Sequence, residues 1–221
     1  MNLLYNFKGK KIGKRFLAQS SVNFEQKILN ESVGSQDQIA ASYGGFNKII
    51  FKAGGKFTVQ PIHIKKETII KLNNNLFLVY TGIKRTAHEI AKNYINKLEK
   101  SKKKHILEIL NFVKEGEKAL KKDDLNNFGK LLHESWLAKK GLSSSISNYK
   151  IDEIYNSAIK NGAVGGKLLG AGGGGFFLFY VPQHKQKSIR KNFKKLITTP
   201  FKFTSEGSNI IFKSLDYKII S

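Results

Sequence analysis

Gly165-Gly-Lys-Leu-Leu-Gly-Ala-Gly-Gly-Gly-Gly-Phe-Phe-Leu-Phe-Tyr-Val181 is the stretch from which the rest of the chain can be read. Four glycines run unbroken from Gly172 to Gly175, Gly170 stands just ahead of them, and apolar residues flank the cluster on both sides. Glycine loses more backbone entropy on folding than any other residue, so a cluster has a cause, usually a positive φ or a close approach of backbone. The aromatic run from Phe176 to Val181 follows at once and has the composition of a strand. The stretch therefore predicts strand, tight glycine loop, strand. A loop of bare N–H groups makes an anion-binding nest, and phosphate is a common guest. A glycine-rich hairpin or bulge with no ligand is the plainer alternative.

Two nucleotide fingerprints can be tested on the same residues. Gly170, Gly172 and Gly175 satisfy G-x-G-x-x-G, but that motif needs a helix after it and a strand composition follows here. The P-loop needs Gly-Lys-Ser/Thr, and Phe176-Phe177 stand there instead. Metal motifs fail as well. His88-Glu89 and His133-Glu134 each begin H-E-x-x-H, yet Lys92 and Leu137 occupy the second histidine position. No protein-only metal site is expected. With no cysteine and no G-x-S-x-G serine, nucleophilic catalysis has no candidate, and disulfides and thiolate metal sites are excluded.

The chain has 221 residues, enough for one or two domains with a real core, and its 40% hydrophobic content argues against disorder. The start Met1-Asn2-Leu3-Leu4 lacks a charged segment followed by a long apolar one, and no apolar run reaches membrane-spanning length, so no membrane partner and a cytoplasmic location are expected. The net charge is +23, but nearly all of it is scattered lysine, with arginine only at 15, 85 and 190. No segment interleaves basic and aromatic residues, so no nucleic-acid partner is expected, whereas anionic substrates suit such a field.

Residues 2–8 read as a helix that starts without a cap, and residues 13–30 as a second helix with Leu17, Phe24 and Ile28 on one face. Ser35 followed by Gln38 is a capping-box pattern, which places Asp37 in the first turn of a short helix that Gly44-Gly45 ends. Asp37 is the best single acid; an acidic residue there is also an ordinary complement to the helix dipole. Strands are expected at 47–51, 57–64 and 76–80. Amphipathic helices are expected at 86–100, 104–121, 123–139 and 150–161, the third capped by Asp123 or Asp124. Residues 183–197 read as a basic helix, and 201–204 and 209–212 as closing strands. His133 and Trp136, one turn apart, read as rim and core. Arg85 sits at a strand-to-helix turn, where a guanidinium suits oxyanions but is as readily a surface residue. The order is α+β, and the one plausible boundary lies in the polar stretch 65–75, giving domains 1–74 and 75–221.

Taken in order, these pieces resemble the GHMP small-molecule kinases. Lys167-Leu-Leu-Gly-Ala-Gly-Gly-Gly-Gly175 is similar to their C-terminal motif, and Gly34-Ser-Gln-Asp-Gln38 with Ala40 to Asn47 to the segment that bears their catalytic aspartate. Leu132-His-Glu-Ser-Trp136, Gly141 to Asn148 and Tyr80 to Arg85 are most similar to the bacterial heptose 7-phosphate kinases, which feed surface-polysaccharide precursor synthesis. The resemblance implies a truncated GHMP-kinase-like N-terminal domain, followed by a helix-rich, ferredoxin-like C-terminal domain. It implies phosphoryl transfer from ATP, with Mg2+, to a sugar phosphate. Asp37 would face the accepting hydroxyl, and Gly170, Ala171, Gly172, Gly173, Gly174 and Gly175 would form the nucleotide and phosphate loop. Arg85 and Lys167 are weaker candidates for the sugar phosphate. The family's glycine-serine loop, which wraps the ATP phosphates, has no match in these residues. The chain is thus expected to be the C-terminal part of a kinase, inactive alone, with a separate N-terminal half as one source of the missing loop. A catalytically dead binding or regulatory remnant of the same fold is the alternative.

Overall fold

The computed structural model describes residues 1–84 and 103–212. Its chain divides into two compact units: Met1–Ile62 with the segment that begins at Phe203, and His63–Lys202. The stretch 65–75, read as a polar boundary, is instead a helix inside the second unit. Its Thr68 and Leu72 are buried one turn apart, a spacing that the surrounding lysines and asparagines mask.

In the first unit, α1 spans Asn2–Phe7 and α2 spans Lys14–Asn23, running on into a π-turn at Phe24–Ile28. Then come α3 (Gln36–Tyr43), β1 (Asn47–Phe51) and β2 (Phe57–Pro61). The strands pair antiparallel, Ile49 facing Val59, around a turn at Ala53–Gly55. Ala18, Ile39 and Phe57 form a small core. Leu17 is buried as expected, but Phe24 and Ile28 are 38% and 71% exposed. The expected strands at 201–204 and 209–212 are absent, and β6 lies earlier, at Thr198–Thr199. The backbone of the later segment is used elsewhere: Gly45 donates to Thr204 O at 3.1 Å and Ser208 to Ala41 O at 2.8 Å. Alternation in sequence makes a strand only where a neighbouring strand can pair with it.

In the second unit, α4 (Lys66–Asn75) leads into β3 (Leu76–Tyr80). The helices α5 (Lys103–Lys121), α6 (Leu125–Lys140) and α7 (Tyr149–Lys160) follow, close to their expected bounds. The helix expected at 86–100 lies outside the described residues. Asp124 caps α6 by accepting from Asn127 N at 3.1 Å, while Asp123 pairs with Lys71. The glycine stretch is a hairpin of β4 (Gly165–Leu168) and β5 (Phe176–Tyr180), and α8 (Gln183–Asn192) is shorter than the basic run that suggested it. The antiparallel sheet has the order β4-β5-β3-β6, so β4 is an edge. Together with the helices this is the α+β, helix-rich arrangement that the sequence predicts. Among the described residues no helix is long and apolar enough to cross a membrane.

The core of this unit gathers where the aromatic run alternates. Phe177 and Phe179 have no exposed surface, and Trp136 meets Phe177 edge-on at 5.5 Å. Trp136 is core and His133 rim, the latter sharing a 2.5 Å hydrogen bond with the Tyr155 hydroxyl. Helix α6 lies hard against β4 because Gly129 and Gly165 both lack side chains: a Cβ at Gly165 would sit 2.1 Å from Gly129 O. That close approach sets what α6 can reach on the hairpin.

Candidate functional site

The β4–β5 hairpin closes with Leu169 N–H donating to Phe176 O at 2.9 Å, and the loop beyond it is held from two sides. On one side is the segment after β3: Gly175 N donates to Ile83 O at 3.1 Å, and Gly175 O accepts from Thr81 N and Thr81 Oγ1, both at 2.9 Å. On the other is the turn Ser144–Ile146, whose Ile146 O accepts from Gly173 N at 2.8 Å. Two glycines are fixed by this clamp. Gly172, with φ +114°, would place a Cβ 2.9 Å from Ile146 Cα; Gly174, with φ +159°, would place one 2.7 Å from Ile83 O. Part of the cluster is therefore required by packing alone.

The clamp also sorts the donors. The glycine cluster suggests an anion-binding nest, but the Gly173 and Gly175 amides are committed to protein carbonyls. Among the described residues, Gly170, Ala171 and Gly172 give their amides to no protein acceptor. The donor set open to an anion is thus the first half of the loop.

Two lysines lie beneath it. Lys139, buried near the end of α6, donates to Leu168 O at 3.0 Å and Gly170 O at 2.5 Å. Lys167, on β4, donates to Ser135 Oγ at 2.8 Å, and burial pulls its pKa below the ordinary lysine value. Its ammonium is thus turned into the α6–β4 contact. Neither Lys139 nor Ser135 was singled out from the sequence. The signal was there: Leu125, Gly129, Leu132, Trp136 and Lys139 recur at helical spacing, so Lys139 falls on the stripe that faces the core. A lysine on such a stripe needs a partner inside. The Gly141–Asn148 segment is built by its own hydroxyls, with Ser143 Oγ accepting from Ser145 N at 3.2 Å. Ser147 Oγ donates to Asp152 Oδ1 at 2.8 Å.

Asp37 belongs to the first unit, in the first turn of α3, where it is exposed and makes no hydrogen bond or ion pair among the described residues. The capping box around it is not formed. Ser35 makes no side-chain cap, its Oγ lying 3.2 Å from Gln26 Nε2, and Gln38 turns its Nε2 to Glu25 at 2.5 Å. The pattern is spent on contacts between α3 and the π-turn. Arg85 lies outside the described residues. Among those residues no group of three or more His, Asp or Glu side chains could hold a metal ion.

The loop and both lysines lie within residues 117–197, which match the family described as GHMP kinases C terminal. The chain carries a GHMP kinase C-terminal domain. Over 202 residues it is 34% identical to the D-glycero-alpha-D-manno-heptose 7-phosphate kinase of Campylobacter jejuni, covering 89% of this chain and 59% of that protein. A crystal structure of a Campylobacter jejuni protein assigned as a sugar kinase superposes with TM-score 0.66 at 30% identity, covering 92% of this chain and 58% of the other. Lactococcus lactis galactokinase, complexed with galactose, superposes with TM-score 0.69 at 18% identity, over 94% and 63%, a likeness of fold alone. The chain therefore spans under two thirds of the length of these relatives. Within the GHMP domain lie the glycine loop, its Ile146 clamp, Lys139 and Lys167; Asp37 and the Thr81–Ile83 clamp lie outside the matched span.

Proposed function

We propose that this chain is part of an ATP-dependent kinase that phosphorylates a sugar phosphate of the heptose 7-phosphate class, a step toward surface-polysaccharide precursors in the cytoplasm. The observation that carries the reading is the 34% identity to a heptose 7-phosphate kinase over 89% of this chain. When bound, ATP with magnesium supplies the phosphoryl group and offsets the charge on its phosphates. The residues present fit the phosphates in part: the uncommitted amides of Gly170, Ala171 and Gly172 are donors of the kind a phosphate oxygen needs. Magnesium is commonly held by phosphate oxygens, waters and one or two carboxylates, so it needs no three-ligand cluster in the protein.

In this reading Asp37 orients the accepting hydroxyl and takes its proton at a carboxylate oxygen as that hydroxyl attacks phosphorus. Its carboxylate has no competing partner among the described residues, which suits the role. Within the loop Gly170–Gly175 the amides of Gly170, Ala171 and Gly172 are the donors, Arg85 brings a guanidinium to the anionic sugar, and Lys167 on β4, bonded to Ser135 Oγ, is the weaker candidate beside it. The glycine-serine segment that wraps ATP in the family has no match in these 221 residues, and a separate N-terminal half is one source of it.

The test measures ATP turnover on a heptose 7-phosphate by the 221-residue chain alone, then after joining or mixing it with the segment that completes the Campylobacter relative. The expected result is no turnover alone and Asp37-dependent turnover when completed. Turnover by the lone chain, or turnover in the completed kinase that Asp37→Asn leaves unchanged, would refute it.

A further inference from the structure

We propose that Lys139 is a positioning residue that aims the Ala171 amide at a bound phosphate; this rests on the reading of the glycine loop as phosphate-facing. The argument begins with the free edge of β4. In an antiparallel pair, successive residues alternate between bonding the partner strand and facing away from it. Leu169 bonds Phe176, so Leu168 and Gly170 turn their backbone groups off the edge of the sheet. Unpaired edge groups in a packed region need side-chain partners. Helix α6 supplies them here: Lys139 Nζ donates to the carbonyls of Leu168 and Gly170.

The second of those carbonyls has a consequence across its own peptide plane. Gly170 C=O and Ala171 N–H belong to one peptide unit, and no peptide bond among the described residues is cis. In a trans unit the two groups point in opposite directions. Drawing Gly170 O down onto the ammonium therefore turns Ala171 N–H away from it, with no protein acceptor in its path among the described residues. A carbonyl bonded to a cation also polarises its peptide unit, which makes the N–H a stronger donor. Without Lys139 the Gly170 unit, flanked by glycine freedom, can rotate and present its carbonyl oxygen to the anion instead.

The experiment uses the 15N-labelled full chain, titrated with ATP and separately with inorganic phosphate, as wild type, Lys139→Met, Lys139→Gln and Lys167→Met. In the wild type the Ala171 amide resonance should shift on titration. Lys139→Met should move that resonance in the free protein, raise its mobility by 15N relaxation and weaken ATP binding by about tenfold or more, under conditions where urea titration shows the variant fully folded. Lys139→Gln keeps one donor without the charge, and should fall between; it carries the test if Lys139→Met does not fold. Lys167→Met, which removes a cation bonded to Ser135 Oγ and not to the loop carbonyls, should leave the free Ala171 resonance in place. An Ala171 resonance and mobility unchanged in the Lys139 variants overturns the proposal, whatever the nucleotide does. If the wild-type loop ignores both ATP and phosphate, the phosphate-loop reading falls and the aimed-donor role with it. A displaced Ala171 resonance would then report only a structural anchor.

Discussion

Replacing Gly172 with alanine isolates the cost of the loop's clamp. At φ +114° an L-residue is strained whatever room it has, and left-handed backbone costs roughly 1–2 kcal/mol. The new Cβ would also lie 2.9 Å from Ile146 Cα and 3.0 Å from Ile146 Cγ2, closer than carbon atoms approach without displacement. Overpacking of that kind costs roughly 1–3 kcal/mol, so the sum is about 2–5 kcal/mol. Gly82, in the same unit, gives the comparison: its φ is +73°, but the nearest atom to an added Cβ is Lys150 Nζ at an ordinary 3.7 Å. Gly82→Ala should therefore cost only the backbone part, roughly 1–2 kcal/mol. Urea unfolding followed by tryptophan fluorescence reads both, since the one tryptophan, Trp136, is fully buried in this unit's core. A Gly172→Ala variant no less stable than Gly82→Ala would refute the close packing of the loop on the Ser144–Ile146 turn.

Tyr155 makes a pH prediction. Burial is the larger cause that raises its pKa above the ordinary value, so the folded chain holds the phenol proton to higher pH than the unfolded one. Its contribution is intact below about pH 10 and is lost as pH rises through the folded value. Tyr180 is shifted in the same direction, so the measurement is the difference between wild type and Tyr155→Phe in urea midpoint from pH 8 to 11, which should shrink at the alkaline end. Asp124→Ala removes the bond to Asn127 N at the start of α6 and should cost about 1 kcal/mol by thermal unfolding.

Much of this protein is written locally. The strand-loop-strand reading of Gly165 to Val181, the strands at 47–51 and 76–80, and the helices at 103–121, 125–140 and 149–160 follow from alternation, helical spacing and caps within a few residues of each other. Those are properties that a segment carries before it meets the rest of the chain. The kinase resemblance was legible for the same reason, because Lys167 to Gly175 and Gly34 to Asn47 are contiguous. What failed depended on distant partners. Residues 201–212 alternate like strands but give their backbone to Gly45 and Ala41. Ser35 and Gln38 spell a capping box but are drawn to the π-turn.

The glycine cluster shows where the division falls. Its sequence determined that the backbone there must take conformations closed to other residues, and that a loop would join two strands. Which amides face outward was decided only by tertiary structure. Ile83 and Ile146 take two of them from segments far along the chain, and Lys139, 31 residues before Gly170, takes the carbonyl that orients a third. Conformational freedom is a local property of glycine, but the choice among the conformations it permits belongs to whatever packs against it.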